Sequence, residues 1–197
     1  MPDMFHDISL ILTSRPRREI KDPARTPASV LVPLFLKEGR LHLLLTVRTE
    51  AVATHKGQIA FPGGVREAGD AWPEDTALRE AEEELGLDPK AVEILGLLDD
   101  VFTLQSRFTI TPAVARIPWP CVLKPAPAEV AGLLEVPVDD LRAPGVRTEE
   151  PLAAAGPVPD PPPGHAVPKT FPVYMWKGRR IWGATARMVG SLMEVIS

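Results

Sequence analysis

Pro73-Glu74-Asp75-Thr76-Ala77-Leu78-Arg79-Glu80-Ala81-Glu82-Glu83-Glu84-Leu85 is the stretch around which the rest of the chain is organised. Strong helix formers dominate it, proline stands where a first helical turn tolerates it, and Gly86 follows where a helix can end left-handed. A helix over 73–85 is therefore predicted. At 100° per residue, Ala77, Leu78, Ala81 and Leu85 share one apolar stripe that should pack on a sheet. Glu80, Glu83 and Glu84 form a second stripe beside it, whereas Glu82 falls with Asp75 on the far, solvent-facing side. Carboxylates at i, i+3 and i+4 destabilise a helix by about 0.2–0.5 kcal/mol per pair. From Glu67 to Glu84 eight acids face one base, Arg79. Something cationic has to balance them at the border of the buried side. Clustered carboxylate oxygens suit hard divalent ions; magnesium binds through one or two carboxylates plus waters and substrate phosphates, and manganese can substitute. Arg79, four residues before Glu83 and four after Asp75, has the spacing to orient Glu83, which is also the spacing of an ordinary helix ion pair.

Upstream, Phe61-Pro62-Gly63-Gly64 leads towards this helix. Its two glycines permit a tight turn and a close approach of main chain to a ligand. Earlier, β-branched and aliphatic runs flank the polar turn Lys37-Glu38-Gly39-Arg40, which predicts a hairpin with strands near 29–36 and 41–47. Further strands are expected over 92–98, 109–115 and 130–136, and a closing helix over 184–196. Strands and helices mix without a regular βαβ repeat. Residues 144–172 hold nine prolines in 29 positions. They are expected to form a long insertion with neither helix nor sheet, bordering the site and too poor in apolar periodicity to build a core.

The chain has 197 residues, which suggests one domain over 1–197 carrying that insertion. Hydrophobic residues make up 45% and charged residues 24%, as in ordinary globular proteins, which excludes disorder throughout and a coiled coil. The single cysteine, Cys121, excludes an intramolecular disulfide and a Cys-based zinc site. The N-terminus has an acid at Asp3 and only a short apolar run over 8–12, unlike a secretory leader, so a cytoplasmic location is expected. No apolar run approaches the ~20 residues that span a bilayer. A net charge of −4 does not suggest a nucleic-acid partner. The expected partner is a small molecule, and the sequence specifies no oligomeric state.

Arg79-Glu80-Ala81-x-Glu83-Glu84-x-Gly86-Leu87 resembles the second half of the Nudix box, G-x5-E-x7-R-E-U-x-E-E-x-G-U, with alanine at the aliphatic position. Counting back from Arg79, Gly64 lies one residue further away than the box requires, and Glu67 or Asp70 is left to fill the place of the first glutamate. Leu44-Leu45-Thr46-Val47-Arg48 and Gly57-Gln58-Ile59-Ala60-Phe61-Pro62-Gly63-Gly64 look like the signature of the coenzyme A pyrophosphatase branch, whose boxes tend to carry this extra residue. Ala53 and Thr49 stand where that signature expects a basic residue and Ser or Ala. The resemblance implies an α/β fold, an α/β/α sandwich with a mixed sheet between helices. It also implies hydrolysis of a phosphoanhydride with Mg²⁺ or Mn²⁺ as cofactor. Glu80 and Glu84 are expected as direct ligands. Glu83 is either a third ligand or the base that takes a proton from water, with Arg79 beside it. Arg48, Gly57, Gln58, Phe61, Gly63 and Gly64 are expected to meet the substrate, a coenzyme A-like diphosphate, with Arg48 the first candidate for its 3′-phosphate.

Smaller signals have ordinary explanations as well as functional ones. Arg15, Arg17, Arg18, Lys21 and Arg25 crowd eleven positions, as a solvated face or a phosphate contact. His55 is either a substrate contact near Gly57 or a polar loop residue, and Glu129 is a late acid that can approach the metal from a loop. Trp119, Trp176 and Trp182 either pack in the core or stack on adenine. The rival readings are another Nudix pyrophosphatase, acting on nucleoside triphosphates, sugar nucleotides or dinucleotides, and a non-catalytic nucleotide sensor. The sensor would have no reason to keep all three carboxylates of the second stripe.

Overall fold

The computed structural model describes residues 4–49, 57–104, 106–152 and 160–196. Helix α1 (Met4–Ser14) is followed by the hairpin β1 (Thr26–Lys37) and β2 (Arg40–Arg48), then the short strands β3 (Ile59–Ala60) and β4 (Gly63–Val65). Helix α2 (Pro73–Leu85) precedes β5 (Glu93–Leu97), β6 (Val101–Phe102), β7 (Phe108–Arg116) and β8 (Val130–Pro137). Helix α3 (Val138–Arg142), strands β9 (Arg147–Pro151), β10 (Thr170–Trp176) and β11 (Arg179–Ile181), and helix α4 (Gly183–Val195) complete the order.

The central sheet runs β3-β2-β1-β7-β5, with β4 also on β1, β6 on β7 and β8 on β2. It is mixed, because β1 and β7 are parallel while β1 and β2 are antiparallel. The turn between β1 and β2 falls as expected, with Glu38 and Gly39 both at positive φ, 53° and 75°. Strand β1 reads as a nearly continuous apolar run because both of its faces are covered. Val30, Val32 and Leu34 enter one core with Phe5, Ile8 and Leu12 of α1 and Met188, Val189 and Leu192 of α4. Leu31 and Phe35 point the other way, into a second core with Ala77, Ala81 and Leu85 of α2. This alternation makes the α/β/α sandwich. Pro33 is tolerated inside β1 because it falls between the stretch paired with β4 (28–30) and the stretch paired with β2 (34–37).

Two expectations are corrected. The segment 144–172 does contain sheet: β9 lies within it and pairs with β10, and β10 with β11, in a separate three-stranded antiparallel sheet. Tertiary pairing overrides its proline content, since Pro151 and Pro172 sit at positions of the ladder that need not donate an N–H. The basic run near the N-terminus divides: Arg18 and Lys21 stay exposed, as a solvated face requires, while the other three are held in ion pairs. Arg15 lies 2.6 Å from Asp99, Arg17 3.2 Å from Asp100, and Arg25 3.3 Å from Asp22. Helix α1, unforeseen, buries Phe5, Ile8 and Leu12 at the spacing of one helical face.

Candidate active site

The apolar stripe of α2 fixes the orientation of its acids. Once Ala77, Ala81 and Leu85 lie on the sheet, Glu84 is buried, Glu80 is partly buried, and Glu82 and Glu83 are exposed. The Gly63–Gly64 turn then closes on the helix. The Gly63 N–H donates to the Glu84 carboxylate. A Cβ on Gly64 would stand 2.6 Å from Glu80 Oε2, so only glycine lets the main chain pass this carboxylate.

Arg79 anchors the cluster from the other side. Its Nη1 lies 2.9 Å from Glu80 Oε1 and 3.4 Å from Glu83 Oε2, and its Nη2 lies 3.2 Å from Asp70 Oδ2. Nη2 also donates to the Val65 carbonyl at 3.0 Å. Of the two acids left open for the first glutamate of the box, Asp70 is the buried one. It accepts from the Glu67 N–H and the Thr76 hydroxyl, each at 2.9 Å. Glu67 is 69% exposed and 3.8 Å from Arg79. Asp75, assigned to solvent, has a further role: its carboxylate accepts from the N–H groups of Ala71 and Trp72 and closes the N-terminus of α2.

The hydrogen bond from Arg79, helped by the Glu67 N–H and Thr76, lowers the Asp70 pKa to about 2 from its ordinary 3.8. A depressed carboxylate contributes stability above its unfolded pKa and loses it as pH falls through the folded one. The melting temperature of the wild type should therefore fall more steeply between about pH 4 and pH 2 than that of Asp70→Asn. Parallel curves over that range would refute the assignment.

The remaining acids show the opposite electrostatics. Burial pushes Glu84 up to about 7; the Gly63 N–H and Arg48 pull it down, and Glu129 and Glu80 push it up again. Burial also raises Glu80, against the pull of Arg79, and Glu83 and Glu129 add to the rise. Glu129 is exposed, in the loop that docks on the end of α2 through Lys124 and Ala126 N–H groups to the Leu85 and Glu84 carbonyls. Its charge nevertheless reaches both Glu80 and Glu84. Among the described residues no three acidic, histidine or cysteine side chains converge at ligating distance. The donor chemistry still fits a hard divalent cation, whose charge would offset the burial and the acidic neighbours that raise Glu80 and Glu84.

Arg48 ends β2 beside Glu84. Its buried Nε has no hydrogen-bond partner among the described residues. With Gln58, Phe61, Gly63 and Gly64 it lines a cavity of about 320 Å³. Gly57 acts through the main chain, at φ 65°, with its N–H donating to the Arg48 carbonyl. His55 lies outside the described residues. Of Trp119, Trp176 and Trp182, the last lines the cavity. Trp119 stacks on Phe35 at 4.0 Å, and Trp176 is buried and donates to Asp140. Sequence reasoning missed the opposite group of lining residues, Phe102 of β6, Phe171 of β10, and Thr185, Arg187 and Met188 of α4. Nothing local marks them, because only the tertiary fold brings β6, β10 and α4 to one cavity.

Sheet, helix and acid cluster together define a class, and the NUDIX domain matches residues 25–155: the chain belongs to that family. Within it, the chain is 38% identical over 140 residues to the uncharacterized Nudix hydrolase NudL of Photorhabdus laumondii, covering 71% of this chain and 73% of that one. It is 37% identical over 136 residues to Nudix hydrolase 3 of Caenorhabditis elegans, covering 68% of this chain and 56% of that protein. With the peroxisomal coenzyme A diphosphatase NUDT7 of Mus musculus it shares 35% over 128 residues, 65% of this chain and 54% of that one. The chain thus spans little more than half the length of the nematode and mouse proteins. Among solved structures, a MutT/nudix family protein from Enterococcus faecalis shares the fold at TM-score 0.56 and 15% identity, covering 93% of this chain and 66% of that one.

Proposed function

We propose that this protein is a cation-dependent hydrolase that cleaves the diphosphate of coenzyme A or an acyl derivative, giving adenosine 3′,5′-bisphosphate and 4′-phosphopantetheine. One observation carries the reading: Glu80, Glu84 and Glu129 repel one another beside the Gly63–Gly64 turn, where a cavity lined by Arg48 opens. The name of the mouse relative supports the substrate. So does the segment from Leu44 to Gly64, whose residues build β2, β3 and β4 around that opening.

Glu80 and Glu84 would hold Mg²⁺ or Mn²⁺, with Glu129 contributing charge. Bound there, the ion supplies polarisation of phosphoryl oxygens and a lower pKa for water. The chain's own groups do the rest. Arg48, which lines the cavity, offsets charge on the diphosphate oxygens. Arg79 is fixed by buried Asp70 and holds both Glu80 and Glu83, so the acids approach the substrate in set orientations. Glu83, exposed next to Arg79, accepts the proton of the attacking water. The largely apolar walls from β6, β10 and α4 exclude water and receive the arms of the substrate.

We also propose that residues 1–197 form one folded unit, with 144–172 attached to it at the cavity. Arg25 donates to the Asp160 carbonyl at 2.6 Å, and the His165 ring meets the edge of Phe102 at 5.9 Å.

The test is kcat/KM for coenzyme A against ADP-ribose, a diadenosine polyphosphate and an oxidised nucleoside triphosphate. Coenzyme A is expected to lead by at least about tenfold, a difference of roughly 1.4 kcal/mol in transition-state binding. Equal or better turnover of any of the others would overturn the substrate while leaving a diphosphate hydrolase.

A further inference from the structure

Phe102 lies between two guanidinium groups. Arg25 is 5.2 Å and Arg187 4.8 Å from its ring centre. The two cations differ in how they are balanced. Arg25 is almost fully buried and lies 3.3 Å from the Asp22 carboxylate, which compensates its charge. Arg187, on α4, lines the cavity and donates from Nη1 to the Phe102 carbonyl at 2.6 Å. No described carboxylate forms an ion pair with it, and burial lowers its pKa. A ring face and one carbonyl hold the partly buried guanidinium in place but leave its charge without a counter-ion among the described residues. A group in that position is suited to an anion brought by the ligand.

The other cation of the cavity has a different task. Arg48 reaches it from β2, next to Glu84 and the Gly63–Gly64 turn, where the diphosphate is to be cut. Its charge is already drawn on by Glu84. Arg187 enters from the wall that β6 and α4 build, with buried Thr185 and Met188 as neighbours in the lining.

We infer that Arg187 is the specificity residue for a second anionic group of the substrate, a phosphate monoester separate from the diphosphate that is cleaved. On the proposed function, on which this inference rests, that group is the 3′-phosphate of coenzyme A, and Arg48 is left to the diphosphate. A phosphate monoester carries about −1.5 to −2 charge at neutral pH and three acceptor oxygens, enough for a bidentate contact with a fixed guanidinium.

Binding of adenosine 3′,5′-bisphosphate and of AMP, measured by calorimetry, isolates this contact from turnover. The wild type should bind the bisphosphate at least tenfold more tightly. Arg187→Gln keeps an N–H donor for the Phe102 carbonyl but no charge. It should reduce the gap to less than threefold, chiefly by weakening the bisphosphate. Arg187→Lys should retain part of it. A wild-type gap below threefold overturns the inference without any variant, and so does a gap that survives Arg187→Gln in a protein with wild-type melting behaviour. The substrate proposal fails separately: a tenfold gap that depends on Arg187 in a protein that leaves coenzyme A intact would keep the phosphate site and remove the reaction.

Discussion

Glu84→Gln and Glu80→Gln should each lower turnover of coenzyme A at least about a hundredfold at saturating Mg²⁺, while Glu82→Gln stays within about twofold of wild type. The asymmetry follows from one helical face. Glu80 and Glu84 stand one turn apart, against the glycine turn; burial raises the pKa of both, and the Glu80 charge adds to the rise at Glu84. Glu82 is exposed on the far side. Glutamine preserves size and removes the charge that a cation needs. Because burial raises both carboxylates above their ordinary range, each is disfavoured as a charge in the folded protein, and neither substitution should reduce the melting temperature near neutral pH. Equal losses from all three changes would remove the distinction between the faces of α2. A fall in stability matching the fall in rate would mean that the acids serve the fold.

Gly63→Ala should destabilise the protein by about 3 kcal/mol, among the larger effects of a single methyl. A Cβ there would stand 2.6 Å from Val30 Cα and 2.7 Å from Val30 Cγ1, so the obstacle includes the backbone of the central strand. Strand β4 would have to leave β1, taking with it the N–H that Gly63 gives Glu84. Gly64→Ala is the informative control. Its methyl would meet the Glu80 carboxylate, the far end of a side chain that can swing away. Stability should therefore fall less at Gly64 than at Gly63, and activity should fall strongly at both. Urea unfolding of the two variants reads the comparison, and equal destabilisation would contradict it.

The sequence exposed the parts whose signals are local. Helix α2 ends where proline, periodicity and Gly86 place it, with Gly86 at φ 65° and its N–H bonded to the Glu82 carbonyl. The hairpin turn, β7, β8 and α4 fall within a residue or two of their expected limits, because each is a long run of one period. The second sheet was hidden, since nine prolines look like a break and nothing in β9 announces the partner that satisfies it. The acids of the site were visible as a stripe. What could not be seen was which of Glu67 and Asp70 would be buried, because Thr76 and Arg79 decide that by closing round Asp70. Arg187 was invisible for a related reason: an arginine in a closing helix looks like surface until β6 packs over it.

Incubation of the protein with coenzyme A and Mg²⁺, with the products identified by mass, tests the central claim most directly. Equimolar adenosine 3′,5′-bisphosphate and 4′-phosphopantetheine, abolished by a chelator and restored by excess Mg²⁺ or Mn²⁺, is the predicted result. Intact coenzyme A after many equivalents of time and enzyme, or cleavage indifferent to the chelator, would contradict it.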